Sequence, residues 1–134
     1  MPFVLDNSVV TGWYLPEQAT VYGQSVATRL ESDKALVPTL WQLELANVLK
    51  TACTRGKLDL ETARQILDAL GRLPIEIDTC PAPGKRQLFE LAMRYQLSSY
   101  DAAYLELAMR HGLAIATQDQ HLKEAAMAAG VEIL

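Results

Sequence analysis

The chain has 134 residues, half of them hydrophobic, and a formal net charge of −4. This length and composition suit one compact domain with a buried core and exclude global disorder. The acidic balance argues against a general nucleic-acid-binding protein, which is usually basic. It does not exclude a nuclease, because a cluster of carboxylates that binds cations also lowers the formal charge. We therefore expect a single domain over residues 1–134.

The sequence carries no sign of export or of a membrane anchor. No apolar run approaches the roughly 20 residues that span a membrane, and the first basic residue is Arg29. We therefore expect neither a signal peptide nor a transit peptide, and predict a cytoplasmic protein. Cys53 and Cys80 form no CxxC pair. They are expected to be reduced thiols, with Cys53 packed in a helix.

Short apolar runs alternate with helical patterns along the chain. Strands are predicted at residues 3–6, 35–37, 74–78, 113–117 and 131–134. Helices are predicted at residues 16 to about 31, 39 to about 55, 59 to about 70, 87–95, 99 to about 110 and 119–129. The first of these helices has Pro16 in its first turn, and the second has a capping box of Thr39 and Gln42 and ends at Gly56.

This alternation predicts an α/β fold, a three-layer sandwich with a mostly parallel central sheet flanked by helices. Residues 79–84 are the clearest loop. Ligands of such sheets bind outside the carboxyl ends of the strands. Asp6 stands at the end of the first predicted strand, and Asp119 lies two residues past the fourth. Each also has a local interpretation, Asp6 as a turn or cap residue and Asp119 as the N-cap of the last helix.

Two further acids lie on predicted helices. Glu44 falls at the edge of an apolar stripe formed by Trp41, Leu45, Val48 and Ala52. Taken alone, it is a carboxylate that reaches water. Asp101 begins a stripe that continues through Tyr104, Leu105 and Ala108. It could be the N3 residue of a helix capped by Ser98, but it points toward the protein, where an unpaired carboxylate is costly.

These acids could converge on one crevice at the sheet edge. Like charges repel strongly at close range, so such a cluster needs cations. Oxygen-only ligands favour Mg²⁺ or Mn²⁺ over zinc. Neither His111 nor His121 has a partner at the spacing of a zinc motif, and His121 is placed at the edge of the site.

Four segments together suggest a family: VLDNS, VPTLWQLELANVL, SSYDAAYLELA and ATQDQHL. In this order, and in a chain of this length, they resemble the PIN-domain ribonucleases, and among them the VapC-type toxins of prokaryotic toxin–antitoxin pairs. The resemblance implies that the catalytic and metal-binding residues are Asp6, Glu44, Asp101 and Asp119. It implies supporting roles for Ser8, Asn47 and Thr117. Relatives often have a further acid after the last aspartate, where Gln120 and His121 stand here, so the number of metals stays open.

The function that this resemblance implies is metal-dependent hydrolysis of RNA by the toxin of a type II toxin–antitoxin system. Mg²⁺ or Mn²⁺ would be the cofactor. The implied partners are the RNA, a cognate antitoxin and a second copy of the chain. DNA would be bound only through the antitoxin, and no membrane is involved. Basic side chains would contact the RNA backbone, and the candidates are Arg55, Lys57, Lys85 and Arg86.

Two alternative functions fit the sequence less well. A haloacid-type phosphatase needs a second aspartate where Ser8 stands, and a receiver domain needs adjacent early acids and a late lysine, which this chain does not have. The other alternative is a catalytically inactive PIN-like module that only binds partners. The four intact acids argue against it. Trp13 and Tyr14 could contact RNA or a partner, although core or dimer packing is the favoured interpretation.

Overall fold

The computed structural model describes residues 1–79 and 84–134. Its strands are β1 (Phe3–Leu5), β2 (Ala35–Val37), β3 (Ile75–Ile77) and β4 (Ile115–Ala116). Its helices are α1 (Asn7–Tyr14), α2 (Val21–Arg29), α3 (Leu40–Thr54), α4 (Leu60–Gly71), α5 (Lys85–Tyr95), α6 (Ser99–His111) and α7 (Gln120–Ala128), with a short 3-10 helix at Pro16–Gln18.

The four strands form one parallel sheet in the order β3-β2-β1-β4. Helices cover the sheet, so the predicted α/β class is confirmed. The strands at its centre are apolar throughout, and β1 and β4 are completely buried. The predicted fifth strand is reduced to a single parallel bridge between Ile133 and Ile115. In the described residues, no helix is long and apolar enough to cross a membrane.

The prediction of one helix over residues 16 to about 31 is wrong. A separate helix, α1, begins directly after β1, and α2 starts only at Val21, where Thr20 caps it by accepting a hydrogen bond from the Gly23 amide. Pro16 begins the 3-10 helix between them. Gly12 permits this compact arrangement, because a Cβ there would lie 2.7 Å from the carbonyl oxygen of Gln18. Only the three polar residues Asp6, Asn7 and Ser8 separate the apolar run of β1 from the valines of α1, and this short spacing hid the helix from periodicity.

The other predicted helices occur within a few residues of their predicted bounds, but local details differ. Thr39 forms no capping box, since its own backbone is helical and its side chain makes no cap bond. On α3 it is Leu49, rather than the half-buried Val48, that belongs to the buried stripe. Gly56 follows α3 with a positive φ of 73°, as its predicted role requires. Cys53 on α3 is a free thiol, whereas Cys80 and most of the predicted loop 79–84 lie outside the described residues.

Because every strand is parallel, all four carboxyl ends lie at the same edge of the sheet. β1 and β4 are neighbours, with Leu5 paired to Ala116. The residues that follow them, Asp6 and Thr117, are therefore adjacent although they are far apart in sequence. This edge positions the candidate site.

Candidate active site

Asp6 is buried at the end of β1, with only 5% of its surface exposed. Its backbone has the extended geometry of an N-cap for α1, but its side chain makes no cap bond. Instead its Oδ2 accepts hydrogen bonds from the hydroxyls of Ser8 and Thr117, both at 2.7 Å. A role as a turn or cap residue therefore does not account for the carboxylate.

The hydroxyls of Ser8 and Thr117 are themselves held in orientation. The Ser8 hydroxyl accepts a hydrogen bond from the Gln118 amide at 2.9 Å, and the Thr117 hydroxyl accepts one from the Asp119 amide at 3.0 Å. With these lone pairs occupied by backbone donors, both hydroxyl hydrogens are directed to the same oxygen of Asp6. Its other oxygen, Oδ1, receives neither of them.

Asp119 follows β4 and caps α7, where its Oδ1 accepts a hydrogen bond from the Leu122 amide at 3.0 Å. The capping interpretation is thus correct for this residue. It does not exclude a second role, because the cap uses one carboxylate oxygen and because the charge of Asp119 also raises the pKa values of Asp6 and Asp101.

Glu44 is half-buried on α3 and does more than reach water. Its Oε1 accepts a hydrogen bond of 2.6 Å from the hydroxyl of Tyr104 on α6. The sequence pattern showed Tyr104 only as part of an apolar stripe and missed this contact. The one available signal was a phenol on a buried helix face, since a buried tyrosine hydroxyl usually has a partner.

Asp101 lies in the first turn of α6, where its amide donates to the hydroxyl of the N-cap Ser98 at 3.1 Å. The predicted cap is therefore present. The side chain of Asp101 is half-buried, and Tyr104 and Leu105 on the same helix face are fully buried. The carboxylate also forms a hydrogen bond with Ser98, but burial and the charges of Asp6 and Asp119 outweigh it and raise the pKa of Asp101, so capping does not neutralise this charge.

The four acids, which we call the acidic cluster (Asp6, Glu44, Asp101 and Asp119), act on one another electrostatically. Burial, together with the charges of Asp6 and Asp119, raises the pKa of Asp101 to about 6. Burial also raises the pKa of Asp6, against the two hydroxyl hydrogen bonds that lower it. The pKa of Glu44 is raised by burial and by the charges of Asp6 and Asp101. Within residues 1–79 and 84–134, no lysine or arginine forms a salt bridge with any of the four.

The donor set of the acidic cluster fits a hard divalent cation. All its donors are oxygens, which suit Mg²⁺ and Mn²⁺. Three of its members each have one oxygen engaged: Oδ2 of Asp6, Oε1 of Glu44 and Oδ1 of Asp119. Each can therefore offer its second oxygen. In the described part of the chain, no three acidic, His or Cys side chains are grouped closely enough to hold an ion without side-chain movement.

The other predicted residues are placed less centrally. The exposed His121 lies in the first turn of α7, and its charge lowers the pKa of Asp101, which puts it at the edge of the cluster. Asn47 is exposed one turn beyond Glu44 and lines a shallow pocket with Arg55 and Lys57.

The basic candidates are exposed, and the aromatic candidate Trp13 lies between two helices. Lys57 forms an exposed salt bridge of 3.3 Å with Glu17, while Lys85 and Arg86 are exposed in the first turn of α5. The indole of Trp13 donates to the Gly23 carbonyl at 2.8 Å and packs α1 against α2.

Comparisons with known proteins identify the family. The model of the PIN domain family matches residues 3–127. Ribonuclease VapC3 of Pyrobaculum aerophilum is 28% identical over 126 residues, which are 92% of this chain and 94% of the relative. The crystal structure of PAE2754 from the same organism superposes with a TM-score of 0.66 at 21% identity, covering 93% of this chain and 87% of that one. The resemblance to VapC-type PIN ribonucleases is confirmed, and the chain belongs to the PIN domain family.

Proposed function

We propose that this protein is a Mg²⁺- or Mn²⁺-dependent endoribonuclease and the toxin of a type II toxin–antitoxin pair. The observation that carries the proposal is the acidic cluster: carboxylates from β1, α3, α6 and the start of α7, gathered at one sheet edge without a lysine or arginine salt bridge among the described residues. The ribonuclease name of the relative supports the same activity. We also propose that residues 1–134 act as one domain and in the cytoplasm.

In this proposal the acidic cluster holds the cation, and the hydroxyls of Ser8 and Thr117 keep Asp6 in a single orientation. A bound Mg²⁺ would supply an activated water and stabilise the negative charge that builds up on the phosphate. Asp6, after the end of β1, and Asp101, in the first turn of α6, would both contribute negative charge to the cation. No nucleophilic serine or cysteine is required.

The acidic surroundings also govern how RNA is bound. A polyanion is repelled by the cluster until a cation neutralises it, so the metal should assist substrate binding as well as turnover. Farther from the cluster, the exposed side chains of Arg55 and Lys57 lie close together beside Asn47 and could contact the backbone. We propose these residues, with Lys85 and Arg86, as the RNA contacts.

The proposed protein partners follow from the family. They are a cognate antitoxin, which would supply any DNA binding, and a second copy of the chain. Co-expression with the product of a small neighbouring gene and co-purification of the two proteins would test the first. The mass of the purified protein in solution would test the second.

The decisive experiment compares the wild type with Asp6→Asn on total cellular RNA in the presence of Mn²⁺. Mapping the ends of the products should show cleavages that only the wild type makes, that EDTA removes, and that added Zn²⁺ does not restore. Total RNA is used because a selective enzyme could leave a generic substrate intact. Identical maps for the two proteins, with no growth defect on induction, would contradict the proposal and favour the alternative, a PIN-like module that only binds partners.

A further inference from the structure

A hydrogen bond between Tyr104 and Glu44 joins α6 and α3, the two helices that carry Asp101 and Glu44 of the acidic cluster. The hydroxyl of Tyr104 donates to Oε1 of Glu44 at 2.6 Å. Apart from this bond, α3 packs chiefly against α1 and α4, whereas α6 packs chiefly against β1, α5 and α7. The bond therefore helps to set the separation of α3 and α6 at the level of their acidic residues.

The direction of this bond is fixed by chemistry. An ionised carboxylate can only accept a hydrogen bond, so the phenol of Tyr104 must be the donor. A bond from a neutral donor to a charged acceptor is stronger than one between neutral groups. The Tyr104 side chain is completely buried, which removes water as a competing partner. Glu44 is thus restrained by a buried hydroxyl through a short bond to its Oε1.

Tyr104 also lies one turn after Asp101 on the same face of α6. Residues three apart on a helix are neighbours on its surface. By holding Glu44, the hydroxyl consequently keeps the Glu44 carboxylate beside Asp101, whose charge acts on it. Two acids from different helices are brought together through one phenol.

We propose that Tyr104 is a positioning residue for Glu44: its hydroxyl occupies Oε1 and leaves Oε2 to bind a divalent cation. The inference rests on the proposed function. The hydroxyl is not needed to fill space, since phenylalanine has the same ring. Groups that orient a metal ligand typically contribute 10- to 100-fold to metal affinity or activity.

The test is a titration of Mn²⁺, followed by electron paramagnetic resonance, with the full-length wild type and Tyr104→Phe. We expect the dissociation constant of Mn²⁺ to rise about tenfold in the variant, with an unchanged far-ultraviolet circular dichroism spectrum. Tyr14→Phe is the matched control, since it removes the hydroxyl of a tyrosine that lines the groove beside Ile66 and Leu70. It should bind Mn²⁺ as the wild type does.

Repeating the substitution in a Glu44→Gln variant distinguishes an effect through Glu44 from a general loss of structure. If Tyr104 acts through Glu44, adding Tyr104→Phe to Glu44→Gln should weaken Mn²⁺ binding no further. An equal loss in both backgrounds would overturn the proposal, as would a folded Tyr104→Phe that binds Mn²⁺ within twofold of the wild type. A wild type that binds no Mn²⁺ would overturn the proposed function itself, and this role with it.

If Tyr104→Phe does not fold, the bond can be examined with the tyrosine intact. Nuclear magnetic resonance of the wild type should show a slowly exchanging Tyr104 hydroxyl proton, shifted downfield by the carboxylate. In Glu44→Ala this signal should move upfield or disappear. A signal that is the same in both proteins would show that the hydroxyl does not hold Glu44, and would overturn the proposal.

Discussion

The acidic cluster and a second cluster of charged residues differ in whether a basic side chain pairs with their carboxylates. The second cluster, which we call the Arg110 cluster (Asp78, Glu106, Arg110 and His111), joins the end of β3 to α6. Arg110 donates to Oε1 of Glu106 at 2.6 Å and to Oδ2 of Asp78 at 2.7 Å. His111 lies 3.4 Å from the other oxygen of Asp78. Here two nearly buried acids share a cation supplied by the chain.

The two clusters differ in how the burial of their acids affects the stability of the folded state. Glu106 and Asp101 lie on the same helix, yet Glu106 is bonded to an arginine while Asp101 has acids around it that, with burial, raise its pKa to about 6. Paired acids can be buried without a large penalty, whereas unpaired ones favour the unfolded chain until something neutralises them. Among the described residues, an arginine thus pairs with the acids of the Arg110 cluster, whereas no lysine or arginine forms a salt bridge with the acidic cluster, where the proposed metal would bind.

The largest expected effect is on RNA cleavage, and it compares one acid from each cluster. Asp101→Asn should lower the cleavage rate by more than about a hundredfold, since it removes a charge from the acidic cluster rather than a group behind it. Glu106→Gln, the same change on the same helix, should leave the rate per folded molecule within about twofold, because Glu106 belongs to the Arg110 cluster. Rates on a mapped RNA site at saturating Mn²⁺ would decide. Equal losses in the two variants would contradict the comparison.

The next effect concerns the Arg110 cluster and stability. Arg110→Met should lower the free energy of unfolding by about 2 to 3 kcal/mol, because it leaves the buried carboxylate of Glu106 without the arginine to which it is bonded. Urea denaturation at neutral pH measures this. Adding Glu106→Gln to Arg110→Met should recover part of the loss, since it removes the charge that has lost its arginine. A double variant that is less stable than the single one would show that the arginine acts mainly through packing of its stem.

A bound cation should offset the loss of folding stability that repulsion within the acidic cluster causes. Saturating Mg²⁺ or Mn²⁺ should raise the melting temperature of the wild type by several degrees, as about 100-fold excess over the dissociation constant contributes about 2.7 kcal/mol. Asp101→Asn should show a smaller rise, and Glu106→Gln the same rise as the wild type. Differential scanning calorimetry with EDTA as the reference gives the comparison. A rise of equal size in Asp101→Asn would place the bound ion elsewhere.

These two clusters also show what local sequence patterns can and cannot reveal. The alternation of strands with most of the helices, and the positions of Asp6 after β1 and of Asp119 before α7, followed from patterns within about ten residues, whereas α1 was missed. The bond between Thr117 and Asp6 spans 111 positions, and the bond between Tyr104 and Glu44 spans 60. No periodicity reports such partners, so a phenol that holds a carboxylate was indistinguishable from one that fills the core.

The error at α1 has a different origin. Val9 and Val10 are buried and β-branched, and they lie only a few residues after a buried strand, so local propensity did not favour a helix. The helix forms because these valines are buried in the hydrophobic core together with the residues of β1, while Gly12 allows the chain to turn sharply onto Gln18. Packing decided the local conformation. The consequence for the site is direct, since α1 begins at the residue after Asp6 and carries Ser8.

The smallest expected effect is a pH dependence in the metal-free protein. Folding raises the pKa of Asp101 above its ordinary value, mainly through burial and then through the charges of Asp6 and Asp119. A raised carboxyl pKa means that the neutral form favours the folded state. Its contribution to stability is therefore fully present below about pH 4, near the ordinary pKa, and is lost as the pH rises through about 6. Asparagine is neutral throughout and should not lose it.

Asp101→Asn should consequently match the wild type near pH 4 and exceed its unfolding free energy by about 1 kcal/mol above pH 7, a figure reduced for the solvent screening of a half-buried group. Urea denaturation in EDTA across this range would measure the difference. Glu106→Gln serves as the contrast, because an acid bonded to an arginine gains nothing from becoming neutral, so this variant should be less stable than the wild type at pH 7. If Asp101→Asn is also destabilised there, Asp101 contributes more through the start of α6 than its charge costs within the acidic cluster.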